Sequence, residues 1–289
     1  MKIACYPEFG SLNSKPIFEA FIESLKKDGH EVYINQDKNA DVAVIWSVLW
    51  RGRMADNKPI WDNYRNTNRP VIVLEVGGLL RNDTFKIGIN GINRDADFAN
   101  QEVDDKRWPL FKKEMKPWNP NGDIIVICGQ HDTSQQWIGL PKMEKWIQQK
   151  VEEIRKFTSR PILIRPHPRN QINFNVEKYK DVFMRLPKRD WNTYDDTDFK
   201  ATLEQTWAVV NHSSNPAIES VLAGIPVFVS QSSLCYEVGN EYIADINTPA
   251  MPNRKQWAER LSYTEWWREE IEQGLPWERI KKRLKDRYL

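Results

Sequence analysis

Apolar residues fall into short and long blocks along the first part of the chain. Lys2–Tyr6, His30–Asn35, Val42–Trp46 and Pro70–Glu75 are short and apolar, the pattern of strands. Pro16–Asp28, closed by Gly29, and Ala55–Asn66 carry apolar residues at helical spacing. Pro70–Glu75 is apolar almost throughout, which predicts a strand buried on both faces. Strands alternating with helices predict a parallel, doubly wound sheet joined by right-handed crossovers.

A polar stretch from Asn93 to Asn121 interrupts this series and contains Pro109, Pro117 and Pro120, with Gly122 just beyond. It reads as the connection between two domains. A second series then begins with a strand over Asp123–Gly129, a helix over Lys142–Phe157 and a strand over Pro161–Arg165. It continues with a helix near Val176–Leu186, a strand near Asp190–Tyr194 and a helix over Asp198–Thr206. Strand Trp207–Asn211, helix Pro216–Ala223 and strand Ile225–Ser230 complete it, and a helical, tryptophan-rich tail runs over Arg254–Leu289. The expected fold is α/β with two Rossmann-like domains facing a cleft. Residues 1–120 form an N-terminal acceptor-side domain, and residues 121–289 a nucleotide-binding domain that includes the C-terminal helical tail. Ligands of such sheets bind outside the carboxyl ends of the strands.

Two of those strand ends carry candidate chemistry. Asn211-His-Ser-Ser-Asn-Pro runs into a helical pattern, and Pro216 suits a first helical turn. Ser213 and Ser214 therefore sit where backbone N–H groups and a partial positive charge can receive a phosphate. Glu219, in the next turn, is placed to reach a ribose hydroxyl of the same ligand. Upstream, the strand Ile162–Arg165 leads into Pro-His-Pro-Arg, giving Arg165, His167 and Arg169. Each piece also has a structural explanation. The serines can be helix caps, His167 a packed turn residue, and the arginines solvated charges. Their combination points to a nucleotide diphosphate or monophosphate.

Composition narrows the classes. The chain has 289 residues, 40% hydrophobic and 28% charged, enough apolar material for two ordinary domains. Its 42 basic and 40 acidic residues argue against a general nucleic-acid or membrane-surface binder. Cys5, Cys128 and Cys235 are far apart and lie in or beside apolar runs, so they read as reduced core thiols of a cytoplasmic protein. The start lacks a signal-peptide pattern, and no apolar run approaches the roughly 20 residues of a membrane helix. No spacing suits a structural zinc ion. Thirteen tryptophans are explained first by packing.

These motifs resemble the two-domain glycosyltransferases of the GT-B architecture, and within them the capsule-polysaccharide and sialyltransferase-like branch. The shared motifs are His167-Pro168 and Ser213-Ser214. Leu74-Glu-Val-Gly-Gly-Leu-Leu-Arg81, followed by Gly88-Ile-Asn-Gly-Ile-Asn93, is similar to an acidic-glycine-arginine pattern of the capsule-type enzymes. Gly129-Gln-His-Asp132 is similar to the strand end that opens their second domain, and places Gln130 beside the donor. The resemblance spans about residues 70–235. It implies sugar transfer from a nucleotide-sugar donor to an acceptor hydroxyl, with no tightly bound metal or cofactor. It also implies that His167 and the Ser213–Ser214 turn hold the donor's phosphates. The acceptor would be an envelope or capsule glycan, or a hydroxymethylated DNA base as in virus-encoded enzymes of this architecture. The basic run Arg279–Arg287 suits the DNA alternative.

An inverting transfer needs a carboxylate to take the acceptor's proton. Glu75 is the first candidate, with Gly77 and Gly78 allowing close approach of the acceptor; its alternative is a structural carboxylate bonded to backbone N–H groups or Arg81. His131 and Asp132 are the second candidates. A nucleotide-sugar epimerase and a non-catalytic nucleotide- or sugar-binding module are the competing functions.

Overall fold

A computed structural model describes the chain apart from residues 82, 120, 188, 191–192 and 195–196. The chain divides into two units, one made of Met1–Lys112 with Ala258–Leu289, the other of Lys113–Trp257. Among the described residues no helix is long and apolar enough to cross a membrane.

The first unit opens with β1 (Lys2–Cys5), α1 (Lys15–Lys27), β2 (Glu31–Ile34), β3 (Val42–Trp46), α2 (Asn57–Asn66) and β4 (Val71–Val76). β2, β1, β3 and β4 pair in parallel in that spatial order, as the strand–helix alternation requires. β3 is buried along its whole length, with helices over both faces. Phe18, Phe21 and Leu25 of α1 pack on the face that carries Ile3, Val44, Trp46 and Leu74. Trp61 and Tyr64 of α2 pack on the face that carries Ala43, Ile45, Val71 and Val73.

β5 (Thr84–Ile89) then pairs antiparallel with β4. Its alternation explains the strand: Phe85, Ile87 and Ile89 enter the α1-side core, while Thr84, Lys86 and Gly88 take the other face. The segment expected to link two domains stays with this unit as far as Lys112; Pro120 lies outside the described residues.

In the second unit β6 (Ile124–Cys128) is followed by α3 (Met143–Ile154), β7 (Ile162–Arg165) and β8 (Val182–Met184). The helix expected near Val176–Leu186 is a single tight turn at Val176–Lys178 followed by β8. Asp181 adopts a left-handed φ of 53° there. Its carbonyl and that of Lys180 receive the Arg155 guanidinium, which ends any helix before Val182. The strand expected near Asp190–Tyr194 is in part outside the described residues; β9 (Arg189–Asp190) and β10 (Thr193–Tyr194) form a small antiparallel pair. α4 (Thr197–Leu203), β11 (Thr206–Asn211), α5 (Pro216–Leu222) and β12 (Val227–Phe228) complete a parallel five-stranded sheet of order β12-β11-β6-β7-β8.

α6 (Lys255–Ser262) leads to β13 (Glu265–Trp267), α7 (Arg268–Glu272) and α8 (Leu275–Arg287). The sequence assigned this tail to the domain of residues 121–289, but Ala258–Leu289 belongs to the first unit. The reason is an open edge and an uncovered helix. β13 pairs antiparallel with the outer edge of β5, and Trp277, Ile280 and Leu284 of α8 join the α1-side core. Arg107, buried at 6% exposure, fastens the join by bonding the Ser262 and Glu265 carbonyls and the Glu270 carboxylate. Trp277 stacks edge-on against Phe21 and donates its Nε1–H to Asp28 at 2.9 Å. Truncating Trp277→Ala should cost about 3–5 kcal/mol, as for a buried aromatic. Chemical denaturation checks this, and a loss below about 1 kcal/mol would contradict the tail's place in the core.

Candidate functional site

In the second unit the chain winds outward from β6 through β7 to β8, then returns to the other side of β6 with β11 and β12. The reversal leaves a switch point at the carboxyl ends of β6 and β11, where open α/β sheets take their ligands. Five of the residues singled out by sequence (Gln130, His131, His167, Ser213 and Ser214) and two others meet at the ends of β6, β7 and β11.

Gln130, 6% exposed, follows β6 and accepts the Ser213 backbone N–H at 3.0 Å through Oε1. Its own carbonyl accepts Asn170 Nδ2 at 2.9 Å. Through its side chain and its main-chain carbonyl, Gln130 therefore joins the loops after β6, β7 and β11. His131 and His167 lie ring to ring, with centroids 4.1 Å apart. An added Cβ at Gly129 would stand 3.3 Å from the His167 nitrogen, so the glycine permits this approach of the β6 and β7 ends. His167 Nδ1 accepts the Arg169 backbone N–H at 3.1 Å. The neutral ring then carries its proton on Nε2, which makes that nitrogen a donor.

The serines are not helix caps. Asn215 occupies the N-cap position of α5 without a side-chain cap bond, and Pro216 is the first helical residue. Ser213 is tied to Gln130, whereas the Ser214 hydroxyl accepts Asn211 Nδ2 at 2.7 Å. With that lone pair used, the Ser214 hydroxyl hydrogen is directed elsewhere.

Other expected members have different partners. Arg165, 6% exposed at the end of β7, pairs through Nη1 with Asp198 at 2.5 Å. Asp132 accepts the Met143 backbone N–H at 3.2 Å and so fixes the start of α3. Glu219 pairs with Lys113 at 3.3 Å, and no bond joins it to Gln130, His167 or the serines. Arg169 is exposed. His212 bonds the Gln136 carbonyl at 3.2 Å, and burial holds its imidazole below the ordinary histidine value. Cys128 is pushed up to about 12 by burial, against the pull of Arg165, so it is a neutral core thiol. Among the described residues no group of three or more His, Cys, Asp or Glu is arranged to hold a metal ion.

Glu75 lies in the first unit, next to last in β4, and its Oε1 accepts the backbone N–H of Val76 at 2.8 Å. The backbone bond weighed as its structural alternative is thus present. The neighbouring glycine has a different explanation from the one expected. The place of a Cβ on Gly77 is taken by Glu265 Oε2 at 2.5 Å and by Thr84, so this position is filled rather than open to an acceptor. Glu265 is fully buried and accepts the N–H groups of Gly78 at 2.6 Å and Leu79 at 3.0 Å, and the Thr84 hydroxyl at 2.8 Å. It holds the turn after Glu75 from a strand far along the chain.

Comparison with solved structures gives the fold its type. The chain is similar to a KpsC β-Kdo 2,7-transferase of Thermosulfurimonas dismutans, with a TM-score of 0.54 and 14% identity over 98% of this chain and 100% of that one. It is also similar to a KpsC β-Kdo 2,4-transferase of the same organism, with a TM-score of 0.52 and 12% identity over 92% of each chain. The fold is GT-B-like. No family model matches the sequence, and no curated protein matches it.

Sequence reasoning missed Asn170, Asn211 and Glu265. Asn211 stood in the quoted motif, next to residues that drew attention for their own chemistry. Glu265 sat in a tail read as helical, and only its pairing partner β5 would have revealed it. Gln130→Ala should leave the buried Ser213 N–H without its acceptor and cost about 1–3 kcal/mol. Thermal unfolding measures this; an unchanged midpoint would show that the bond does not hold the β6 and β11 ends.

Proposed function

We propose that the chain is a glycosyltransferase that moves a sugar from a nucleotide-activated donor to an acceptor hydroxyl, with the donor's phosphate held at the switch point of the second unit. The observation that carries this reading is the set of donors at that strand edge. His167 presents Nε2–H. The Ser214 hydroxyl hydrogen is turned away from Asn211, and the Ser214 backbone N–H makes no hydrogen bond among the described residues. Departure of the nucleotide leaves negative charge on phosphate oxygens, and donors held in place beforehand stabilise that charge without reorganising. Gln130 and Ser213 hold the turn, and Arg169 adds a positive charge at the edge. Arg165 and Glu219 would serve through their ion pairs with Asp198 and Lys113. The two similar structures are named for sugar transfer, which agrees with this assignment.

The acceptor we favour is a glycan rather than modified DNA. Three cations of the basic run are already engaged: Arg279 with the Ala99 and Glu102 carbonyls, Lys281 with Asp28 and Arg283 with Asp97. A phosphate backbone would have to compete with those bonds.

His167→Ala should weaken nucleotide binding about 10- to 100-fold, the range for one hydrogen bond to a charged group, and leave the protein folded. Calorimetry with a panel of nucleotides checks this; equal affinity for each would remove His167 from the site. Glu75 supplies the base in this reading. Glu75→Gln should lower turnover by about two to four orders of magnitude with donor affinity unchanged. Near-normal turnover would make Glu75 structural and move the role to His131 or Asp132.

A further inference from the structure

Asn211 ends β11 with 2% of its surface exposed. Its Nδ2 donates to the Ser214 hydroxyl at 2.7 Å, and its Oδ1 has no hydrogen-bond partner among the described residues. A buried amide oxygen without a partner costs stability, about as much as a lost hydrogen bond. For the fold alone an apolar residue would serve this position better. Its neighbours place it at the switch point: Ser213 is bonded to Gln130, and Ser214 precedes α5.

The amide's effect on Ser214 is specific. A serine hydroxyl can donate one hydrogen and accept at two lone pairs. Left to itself, its hydrogen would turn to the nearest acceptor. Because Asn211 Nδ2 occupies a lone pair, the hydrogen is left to donate to a third group. An anion accepts such a hydrogen, and a phosphate oxygen does so with a short, charge-assisted bond.

We propose that Asn211 is a positioning residue of the donor site: its buried amide turns the Ser214 hydroxyl so that it donates to a phosphate oxygen of the nucleotide. This rests on the donor-site reading above and extends it to a residue which that reading does not use. The fold gains little from the amide, whereas the ligand gains an oriented donor.

A double-mutant cycle in the full chain tests it, with calorimetry against the nucleotide that wild type binds most tightly among ribonucleoside mono- and diphosphates. Asn211→Ala and Ser214→Ala should each weaken binding about tenfold, a difference of about 1.4 kcal/mol. If one acts through the other, the double variant should lose far less than the product of the two effects. The melting temperature of Asn211→Ala should stay within a few degrees of wild type, because the change removes an unsatisfied acceptor along with the bond. Asn211→Asp keeps the shape but can only accept, so it should reverse the Ser214 hydroxyl and bind more weakly than Asn211→Ala. Wild-type affinity in Asn211→Ala, or losses that multiply in the double variant, would overturn the proposal while leaving the donor site standing. Absence of nucleotide binding in wild type would overturn the donor-site reading and this inference together.

Discussion

The parallel pairing of β6 with strands on both of its sides is the constraint on which the second unit depends. β6 bonds β7 in register from Ile125 to Cys128 on one side and β11 over the same residues on the other, with a register shift before Ala208. Parallel strands cannot be joined by tight turns, so each connection must cross a face of the sheet. The crossings through α3 and α4 leave the ends of β6, β7 and β11 side by side, and the loops just past those ends meet. Gln130 uses that convergence: one buried side chain satisfies a backbone donor on the next loop, and its carbonyl receives Asn170 from the other side. The histidine pair and the serine turn follow from the same geometry.

In the first unit the equivalent constraint comes from a long-range addition. β5 reverses direction after β4, and its outer edge is covered only when β13 arrives from the end of the chain. Glu265 then enters beneath the Gly77–Leu79 turn, where two N–H groups and a hydroxyl receive its charge. Burying a carboxylate is tolerable only with such compensation. The consequence for the candidate base is indirect: the turn after Glu75 is held by a residue 190 positions later.

Much of this was legible in the sequence, and the failures share a cause. β1, β3, β4, β6, β7 and β11 carry apolar runs dictated by burial on both faces, and helices α1, α2, α3 and α5 carry the matching stripe. Local pattern sufficed for them. β8 is only three residues long, with Val182 buried and Phe183 exposed, and its strand character comes from β7. β13 is equally short and exists because β5 has an open edge. No local signal marks such strands, and the domain division misplaced the tail for the same reason. At the candidate site, His167, Ser213, Ser214 and Gln130 were visible as types of residue at strand ends, and the structure brings them together. Arg165, Asp132 and Glu219 looked similar, but their partners Asp198, the Met143 N–H and Lys113 come from elsewhere in the chain or from main-chain atoms. Sequence shows which residue types stand at the strand ends; tertiary structure decides which of them are already engaged.

The most direct measurement of the central claim is nucleotide release. The protein is mixed with a panel of nucleotide sugars, with and without candidate glycan acceptors, and free nucleotide and the fate of the sugar are followed together. The account predicts that one donor class releases its nucleotide, that an acceptor hydroxyl accelerates the release, and that the sugar appears bonded to that acceptor. Binding of nucleotide with no release from any donor would reduce the chain to a binding module, and a rearranged sugar still attached to its nucleotide would make it an epimerase. Either result would contradict sugar transfer.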